Sequence, residues 1–275
     1  MRAHASEIVA EVLAAGNPAL AVRHQKFFRA FPGGYGEGDR FAGLTVPQLR
    51  GIAGKYAKSA GLQDINALLD SPWHEARFVA LVLLNGFSTA AAAVFPFGQK
   101  PLPWSEYMDK DAGARRLRSL PANPGGADYA QCQGLYLARR EAVNNWDLVD
   151  VSAPVALGPA IYHDATVSAG KTLLERLAES GRLWCERMSV VSGWYAIKRG
   201  EYKHTLGLAE FFIRHKHDLM HKACGWMLRE VGKRDRDVLS AFLESHAHAM
   251  PRTMLRYAIE HYGEEERAGW RAKTN

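Results

Sequence analysis

The segment ACGWMLREV, residues 223–231, decides how the rest of the chain is interpreted. Its apolar residues recur at intervals of three and four positions, which predicts a helix with one broad apolar face. HEARFVALVLL (74–84) and MLRYAIEHY (254–262) follow the same pattern. A convincing alternation of apolar and polar residues, which would indicate strands, is hard to find anywhere in the sequence. We therefore predict an all-α fold.

A weak internal repeat accompanies the helical pattern. Four segments place a basic residue just before an apolar helical run, at Arg77, Arg187, Lys222 and Arg256. Lys222 follows Arg187 by 35 residues, and Arg256 follows Lys222 by 34. A period in the mid-thirties that is made of helix pairs is typical of helical solenoids. The similarity favours stacked helical hairpins over a globular bundle, and it leaves the class of repeat open.

The composition is that of an ordinary globular protein, with 275 residues, 47% hydrophobic and 23% charged. No window is apolar for long enough to span a membrane. The N-terminal stretch MRAHASEIVAEVLAAG contains Glu7 and Glu11, which predicts an amphipathic helix and not a signal peptide. Cys132, Cys185 and Cys224 show no paired spacing. We expect a reduced, cytoplasmic protein of bacterial type, without a disulfide framework.

The positive charge is concentrated in one part of the chain. The net charge is +6, and residues 182–236 hold twelve lysines and arginines against six acidic residues, an excess equal to the whole net charge. Such a segment is typical of proteins that bind a polyanion such as nucleic acid. A solvated basic surface without a partner is the alternative.

The segment at residues 95–126 interrupts the helical pattern. It is rich in proline and glycine, and we interpret it as a long loop inserted between two helices. Arg115, Arg116 and Arg118 lie close together in it. Because of these arginines, the functional alternative to a solvated loop is a loop that contacts the substrate.

The glycine-rich segment PGGYGEGDRFAGLTVPQLR, residues 32–50, does not match a phosphate-binding loop. Asp39 stands where a dinucleotide-binding fingerprint requires glycine, and no strand is predicted before it. We interpret the segment as a shaped turn, after which Val46 and Pro47 open a helix with proline in its first turn.

The histidine-rich segment HKHDLMH, residues 215–221, has two histidines four positions apart, as in a zinc-binding helix. A third ligand is not evident, and Asp218 replaces the glutamate of the metalloprotease motif. Surface histidines in a basic segment are the preferred interpretation, and no metal site is predicted.

The segment NNWDLVD, residues 144–150, combines a tryptophan with two carboxylates. In a helix, Trp146 and Asp150 project from the same face, because they are four positions apart, whereas Asp147 points elsewhere. An aromatic face beside a carboxylate suits a cationic ligand. A structural helix cap suits the same residues.

Trp226 differs from the other tryptophans. For Trp73, Trp184 and Trp194 a place in the core is the ordinary expectation. Trp226 lies in the basic segment, and Arg229 is three positions further on, so that the two can share a helix face. Two aromatic faces, a carboxylate and arginines for phosphate would suit a positively charged base in DNA.

Several of these motifs together resemble the AlkD-type DNA alkylation repair glycosylases, which are built from HEAT-like helical repeats. The resemblance covers roughly residues 5–265 and lapses over 95–126. It implies an α-α superhelix of HEAT-like repeats that forms a single domain over residues 1–275. The motifs that carry it are NNWDLVD, ERMSVV (186–191), GWMLREVGKRD (225–235), PRTMLRYAIEHYG (251–263) and YGEGDRFAGLTVPQLR (35–50).

The resemblance also implies functional residues. The family's catalytic tryptophan and aspartate fall on Trp146 and Asp150, and its second catalytic tryptophan falls on Trp226. Its arginines that contact the DNA backbone fall on Arg187 and Arg229. A tyrosine at the DNA-facing edge corresponds to Tyr35, although the spacing there differs by about one residue. We expect Lys222, in the basic segment, to contact DNA as well.

The implied activity is hydrolysis of the N-glycosidic bond of 3-methyladenine and 7-methylguanine in duplex DNA, which leaves an abasic site. It implies neither a metal nor another cofactor, and this architecture can work as a monomer. One alternative is a non-catalytic HEAT-repeat protein that binds branched or distorted DNA. A HEAT-type protein scaffold is another, and the concentrated positive charge argues against it.

Overall fold

The structure, a computed structural model, describes residues 3–94, 128–163 and 171–273, so the predicted loop at 95–126 lies outside the described residues. Every regular element of the described residues is a helix, and their only β-type pairing is an isolated bridge between Arg40 and Trp73. The prediction of an all-α helical repeat fold is confirmed.

Contacts along the chain divide it into two compact units, Met1–Ala156 and Leu157–Asn275. The prediction of one domain over residues 1–275 stays a prediction. The described helices of the first unit are α1 (Ala3–Ala14), α2 (Pro18–Phe27), α3 (Val46–Tyr56), α4 (Leu62–Leu68), α5 (His74–Val94), α6 (Tyr129–Ala138), a 3₁₀ turn (Arg140–Ala142) and α7 (Trp146–Ala156).

The second unit continues with short helices. Those described are α8 (Gly158–His163), α9 (Leu173–Ala178), α10 (Leu183–Ser192), α11 (Trp194–Ile197), α12 (Lys203–Phe211), α13 (Asp218–Gly232), α14 (Arg236–His246), a 3₁₀ turn (Ala247–Ala249), α15 (Arg252–Ala258) and α16 (Glu264–Ala272). All three segments that predict helices from their periodicity overlap observed helices, namely α5, α13 and α15.

The first helix is amphipathic, as the sequence predicts. Ala5, Ile8 and Val12 are fully buried, whereas Glu7 is exposed and Glu11 is partly so. No single helix among the described residues is long and apolar enough to cross a membrane, and only α1 and α2 taken together pass by length and composition, with a bend of 101° between them.

Local capping explains where several helices begin. Asn17 accepts a hydrogen bond from the Leu20 amide at 3.2 Å, and Pro18 follows it at the first helical position of α2. At the start of α3, the Thr45 amide donates to Gln48 Oε1 at 2.8 Å, which forms one half of a capping box. The predicted helix start at Val46 and Pro47 is therefore confirmed.

The long helix α5 organises the core of the first unit. It packs against α3, α4, α6 and α7, and it buries Phe78, Val79, Leu81 and Leu84. Because α7 packs directly on α5, the position of the first turn of α7 depends on this core. That first turn carries Trp146, and Asp150 lies at the start of the next turn.

In the second unit, α13 packs against α10, α12, α14 and α15. Met220, Met227 and Leu228 of α13 are fully buried, and Trp226 is half-buried. The apolar face that the segment at 223–231 predicts is therefore the face that packs in the core.

Candidate active site around Trp146 and Asp150

Trp146 is the first residue of α7, and Asp150 lies one helical turn further on. Both side chains are half-buried. Residues four positions apart in a helix lie on the same face, so the indole and the carboxylate are neighbours along that face. This arrangement agrees with the interpretation of NNWDLVD as a helix start with a shared aromatic and acidic face.

The indole of Trp146 rests on an aromatic floor from the end of α2. Its ring stacks on Phe28 with a centroid distance of 5.3 Å and an interplanar angle of 30°. Phe27 meets it edge to face, at 5.6 Å and 77°. Phe28 is buried, whereas Phe27 is 63% exposed. Two preferred aromatic geometries therefore hold the indole at the surface of the first unit.

Two asparagines fix the start of α7. Asn145 is fully buried; its Oδ1 accepts from the Trp146 amide at 2.9 Å, and its Nδ2 donates to the Phe28 carbonyl at 3.3 Å. Asn144 donates from Nδ2 to Asp39 Oδ1 at 2.9 Å. The helix that bears Trp146 is thus tied to the floor beneath that residue and to the turn that ends at Asp39.

His74, the first residue of α5, lies beneath this region between two carboxylates. Its Nδ1 is 2.9 Å from Asp39 Oδ2, and its Nε2 is 2.8 Å from Asp147 Oδ2. Burial would lower the pKa of His74, but the charge and hydrogen bond of Asp147, followed by those of Asp39, raise it to about 9. The imidazole therefore carries a positive charge at neutral pH.

The aromatic floor also covers His74. Its ring stacks on Phe28 at a centroid distance of 5.0 Å and on Phe41 at 4.7 Å. Phe28 therefore contacts both the buried imidazole and the indole of Trp146. A cation against aromatic faces is favourable when water is excluded.

Asp39 is nearly buried and binds two cations. Arg77 donates from Nη2 to its Oδ1 at 2.6 Å, and His74 contacts its other oxygen. Burial alone would raise the pKa of Asp39, but the hydrogen bond from His74, the charges of Arg77 and His74 and the amide of Asn144 lower it. Two carboxylates and two cations thus form a charge-balanced cluster under α7.

The glycine-rich segment is a shaped turn, as its sequence predicts. Gly33 and Gly38 have φ of 78° and 90°, a backbone region that favours glycine. A Cβ on Gly36 would lie 2.3 Å from the Phe28 carbonyl oxygen and 2.9 Å from Asn145 Nδ2. The turn therefore passes closely over the aromatic floor, and it ends at Asp39, which joins the charged cluster.

Tyr35 belongs to this same turn. It is half-buried, its hydroxyl donates to the Phe27 carbonyl at 3.4 Å, and the Arg29 guanidinium lies 5.7 Å from the centre of its ring. Within the first unit the structure therefore brings Tyr35, the aromatic floor and Trp146 into one neighbourhood.

The remaining predicted site residues lie in the second unit. Trp226 and Arg229 are three positions apart on α13. Arg229 donates to the Glu260 carboxylate, and its side chain is 20% exposed. Lys222 pairs with Asp218 at 2.7 Å.

Arg187 occupies a different environment. It is 4% exposed, and its guanidinium donates to the Leu219 carbonyl oxygen. A direct contact with a phosphate would require this side chain to leave its position. The roles predicted for Arg187, Arg229, Lys222, Tyr35 and the three catalytic residues stay predictions.

The histidines of HKHDLMH have structural partners. His217 is the N-cap of α13, and its Nδ1 accepts from the Leu219 amide at 3.2 Å. His215 Nε2 lies 3.1 Å from Glu186 Oε2, and the His221 ring contacts the His215 carbonyl. Across residues 3–94, 128–163 and 171–273, no group of three or more histidine, cysteine or acidic side chains could hold a metal ion.

Sequence reasoning did not identify the cluster of Asp39, His74 and Asp147. The three residues are separated by 35 and 73 positions, and no periodic pattern connects residues so distant in the chain. The only local signal is Asp147, the first acidic residue of NNWDLVD, which the helical spacing turns away from the face of Trp146. Asp147 does point elsewhere, as predicted, and its partner is His74.

A family model described as DNA alkylation repair enzyme matches residues 8–109 and 122–262. A solved structure described as a predicted DNA alkylation repair enzyme from Enterococcus faecalis shares 13% sequence identity with a TM-score of 0.54, covering 90% of this chain and 97% of that chain. At this identity the likeness concerns the fold alone. No curated protein matches the chain. Since the family model spans most of the sequence, this chain belongs to the DNA alkylation repair enzyme family, as the AlkD-type resemblance predicts.

Proposed function

We propose that the protein is a DNA glycosylase that hydrolyses the N-glycosidic bond of positively charged alkylated purines in duplex DNA. The substrates are 3-methyladenine and 7-methylguanine, and the product is an abasic site. The observation that carries the proposal is the indole of Trp146, held on Phe28 with Asp150 one turn further along the same helix.

The reaction needs few functional groups from the protein. An N3- or N7-alkylated purine carries a formal positive charge, so the bond to C1′ breaks with its electron pair leaving on the base, which becomes neutral. Water then adds to C1′ and loses a proton. A fixed carboxylate such as Asp150 stabilises the positive charge that develops on the sugar and can accept that proton.

The aromatic floor gives Trp146 its role in this scheme. A cation over an indole face is stabilised by about 1–2 kcal/mol when water is excluded. Contacts with Phe27 and Phe28 fix the ring plane before the DNA arrives, so less conformational entropy is lost on binding. The family resemblance assigns the same kind of contact to Trp226, and we propose it on that ground.

Helix α2 supports binding of a polyanion by the first unit. No residue of α2 is buried. Arg23 and Lys26 on this helix, and Arg29 just after it, are exposed, and none of the three pairs with a carboxylate among the described residues. Unpaired cations beside the exposed ring of Phe27 suit the phosphates and sugars that flank a lesion.

The test is release of free base from a duplex that contains one 7-methylguanine. The wild-type protein is expected to release 7-methylguanine and to leave a site that breaks on alkaline treatment, whereas an undamaged duplex stays intact. Tight binding of the damaged duplex without base release would reject the glycosylase. That result, together with preferential binding of branched DNA, would favour the non-catalytic alternative.

A further inference from the structure

The position of His74 connects three parts of the candidate site. It begins α5, its Nε2 meets Asp147, the residue next to Trp146, and its ring stacks on Phe28, the residue beneath Trp146. The side chain is 3% exposed, so it cannot contact DNA itself. Any effect of His74 on base excision must therefore act through the residues that it positions.

The geometry requires a doubly protonated ring. Ionised carboxylates only accept hydrogen bonds, and both ring nitrogens face carboxylate oxygens at 2.8–2.9 Å. A neutral imidazole has one donor, so either tautomer would place a lone pair against Asp39 or Asp147. The imidazolium satisfies both carboxylates and balances their charge together with Arg77.

We propose that His74 is a positioning residue whose imidazolium form fixes the first turn of α7, and thereby holds Trp146 and Asp150 in the geometry that base excision requires. This inference rests on the proposed glycosylase function. It adds a requirement for a proton on a buried group that touches neither the DNA nor the attacking water.

The charged groups that the described residues place around His74 come from several elements. Asp39 faces it from the glycine-rich turn and Asp147 from α7, while Arg77 on α5 reaches it through Asp39. His24 of α2 approaches the same aromatic rings, and it lies 3.7 Å from Glu75. Loss of the proton leaves one N–H for two carboxylates, so Asp39 and Asp147 compete for it and the link that holds Asp147 in the first turn of α7 is weakened.

Asp147→Asn removes the negative charge at this position but can keep a hydrogen bond with His74 Nε2. An asparagine can accept from the imidazolium, and after a flip of its amide it can donate to the lone pair of a neutral ring. The link to α7 thus survives in both protonation states of His74. Asp70→Asn is the matched control, since Asp70 is an acid of the first unit that pairs with Arg139 far along the chain.

The measurement is the single-turnover rate of 7-methylguanine release between pH 7 and 10, with release from protein-free DNA subtracted. Because the pKa of His74 is about 9, the wild-type rate constant is expected to fall about tenfold from pH 8 to pH 10. Asp70→Asn should fall in the same way, whereas Asp147→Asn should change less than twofold. A wild-type rate that holds to pH 10, or an Asp147→Asn rate that falls in parallel with it, overturns the proposal.

A second measurement does not depend on activity. In the free protein, the indole N–H resonance of Trp146, identified by its loss in Trp146→Phe, should titrate with the same midpoint as the His74 ring. In Asp147→Asn the indole resonance should stay constant while His74 titrates. A wild type that releases no base at any pH would reject the glycosylase function, and the resonances would still decide whether His74 positions α7. An indole resonance of the wild type that does not change while His74 titrates rejects that role.

Discussion

At the residue scale, Asp147 and Asp150 show how one helical turn assigns different tasks to two carboxylates. Asp147 faces the interior and accepts from His74, so its charge is balanced inside the first unit. Asp150 lies on the face of Trp146. Along a helix Asp147 is rotated by about 100° from Trp146, whereas Asp150 is rotated by only about 40°. The sequence could therefore predict that Asp150 shares the face of Trp146 and Asp147 does not, but it could not predict the partner of Asp147.

Asp150→Asn tests the carboxylate that we propose to act on the reaction. The substitution keeps the size of the side chain and removes its charge, so the developing positive charge on the sugar loses its stabilisation. We expect the single-turnover rate of base release to fall about a hundredfold or more, with the affinity for damaged duplex almost unchanged. An unchanged rate would exclude Asp150 from the mechanism.

The stability of the protein should depend on the protonation of His74. Its pKa in the folded protein, about 9, lies above the ordinary value of 6.5, so folding retains a proton that the unfolded chain releases. The stabilisation is complete below pH 6.5, declines as the pH rises towards 9 and is lost above it. It amounts to at most about 3 kcal/mol.

Urea unfolding between pH 6 and pH 10 measures this contribution. The free energy of unfolding of the wild type should decrease across that range. His74→Gln should be less stable at pH 6 and should show a shallower decrease, because it lacks the titrating group. Parallel pH profiles for the two proteins would contradict the assignment of the proton to His74.

At the element scale, the turn between α2 and α3 shows what sequence reasoning reaches. Its glycines and the helix start at Pro47 are predicted correctly, because turn and cap chemistry is local. The close approach of Gly36 to the Phe28 carbonyl and to Asn145 Nδ2 is not predictable, since it depends on how the turn folds back on the end of α2 and on where α7 places Asn145. The contribution of Asp39 to the cluster is hidden for the same reason.

Gly36→Ala tests that close approach. The added Cβ would meet the Phe28 carbonyl oxygen at 2.3 Å, so the turn or the floor must shift. We expect a loss of about 2 kcal/mol in the free energy of unfolding and slower base release, because Phe28 supports Trp146. Gly51→Ala is the control: it lies within α3 with open space around the added Cβ, and it should stabilise by about 0.5–1 kcal/mol. Equal stabilities of the two variants in urea would argue against the packing.

The weak repeat of basic residues also belongs to the element scale. Spacing suggests that Arg77, Arg187, Lys222 and Arg256 are equivalent, but the first two are buried and the last is exposed. The spacing gives the position of a residue within the repeat, but it does not show how deeply its helix is buried in the core. The depth depends on which neighbouring helices cover it.

Arg187→Ala and Arg229→Ala should therefore behave differently. Removing Arg187 deletes a buried side chain and its hydrogen bond to the Leu219 carbonyl, and we expect a loss of about 2 kcal/mol in the free energy of unfolding with the salt dependence of DNA binding nearly unchanged. Arg229→Ala should keep stability and reduce the slope of log K against log salt by about one. A reduced slope for Arg187→Ala in a fully folded protein would instead show that Arg187 contacts a phosphate.

At the scale of the whole molecule, the pairing of charged side chains indicates more about which cations are available for DNA than the net charge does. Residues 182–236 hold an excess of positive charge equal to the net charge of the chain, yet Lys222, Arg229, Lys233 and Arg236 all pair with carboxylates. Two of these partners, Asp218 and Glu230, lie inside that segment, and Glu260 and Glu266 lie outside it. A count of charges does not show which cation pairs with which carboxylate. The unpaired cations of α2 lie outside residues 182–236, so the excess of positive charge in that segment gave no indication of them.

The charge of the lesion gives the most general test of the mechanism. If Trp146 and Trp226 act through their ring faces and Asp150 through its charge, excision should follow the formal charge of the base. 7-Methylguanine and 3-methyladenine should be released, whereas hypoxanthine and 1,N6-ethenoadenine should not, because neutral bases leave only with the help of a general acid. Trp146→Ala should slow release of the cationic bases by about tenfold for each 1.4 kcal/mol lost, and Trp146→Phe should retain part of the rate because a weaker ring face remains. Release of a neutral base at a comparable rate would require a proton donor at the leaving group. His74, the buried imidazolium beneath Trp146, is bound on both nitrogens by carboxylates and could not serve as that donor.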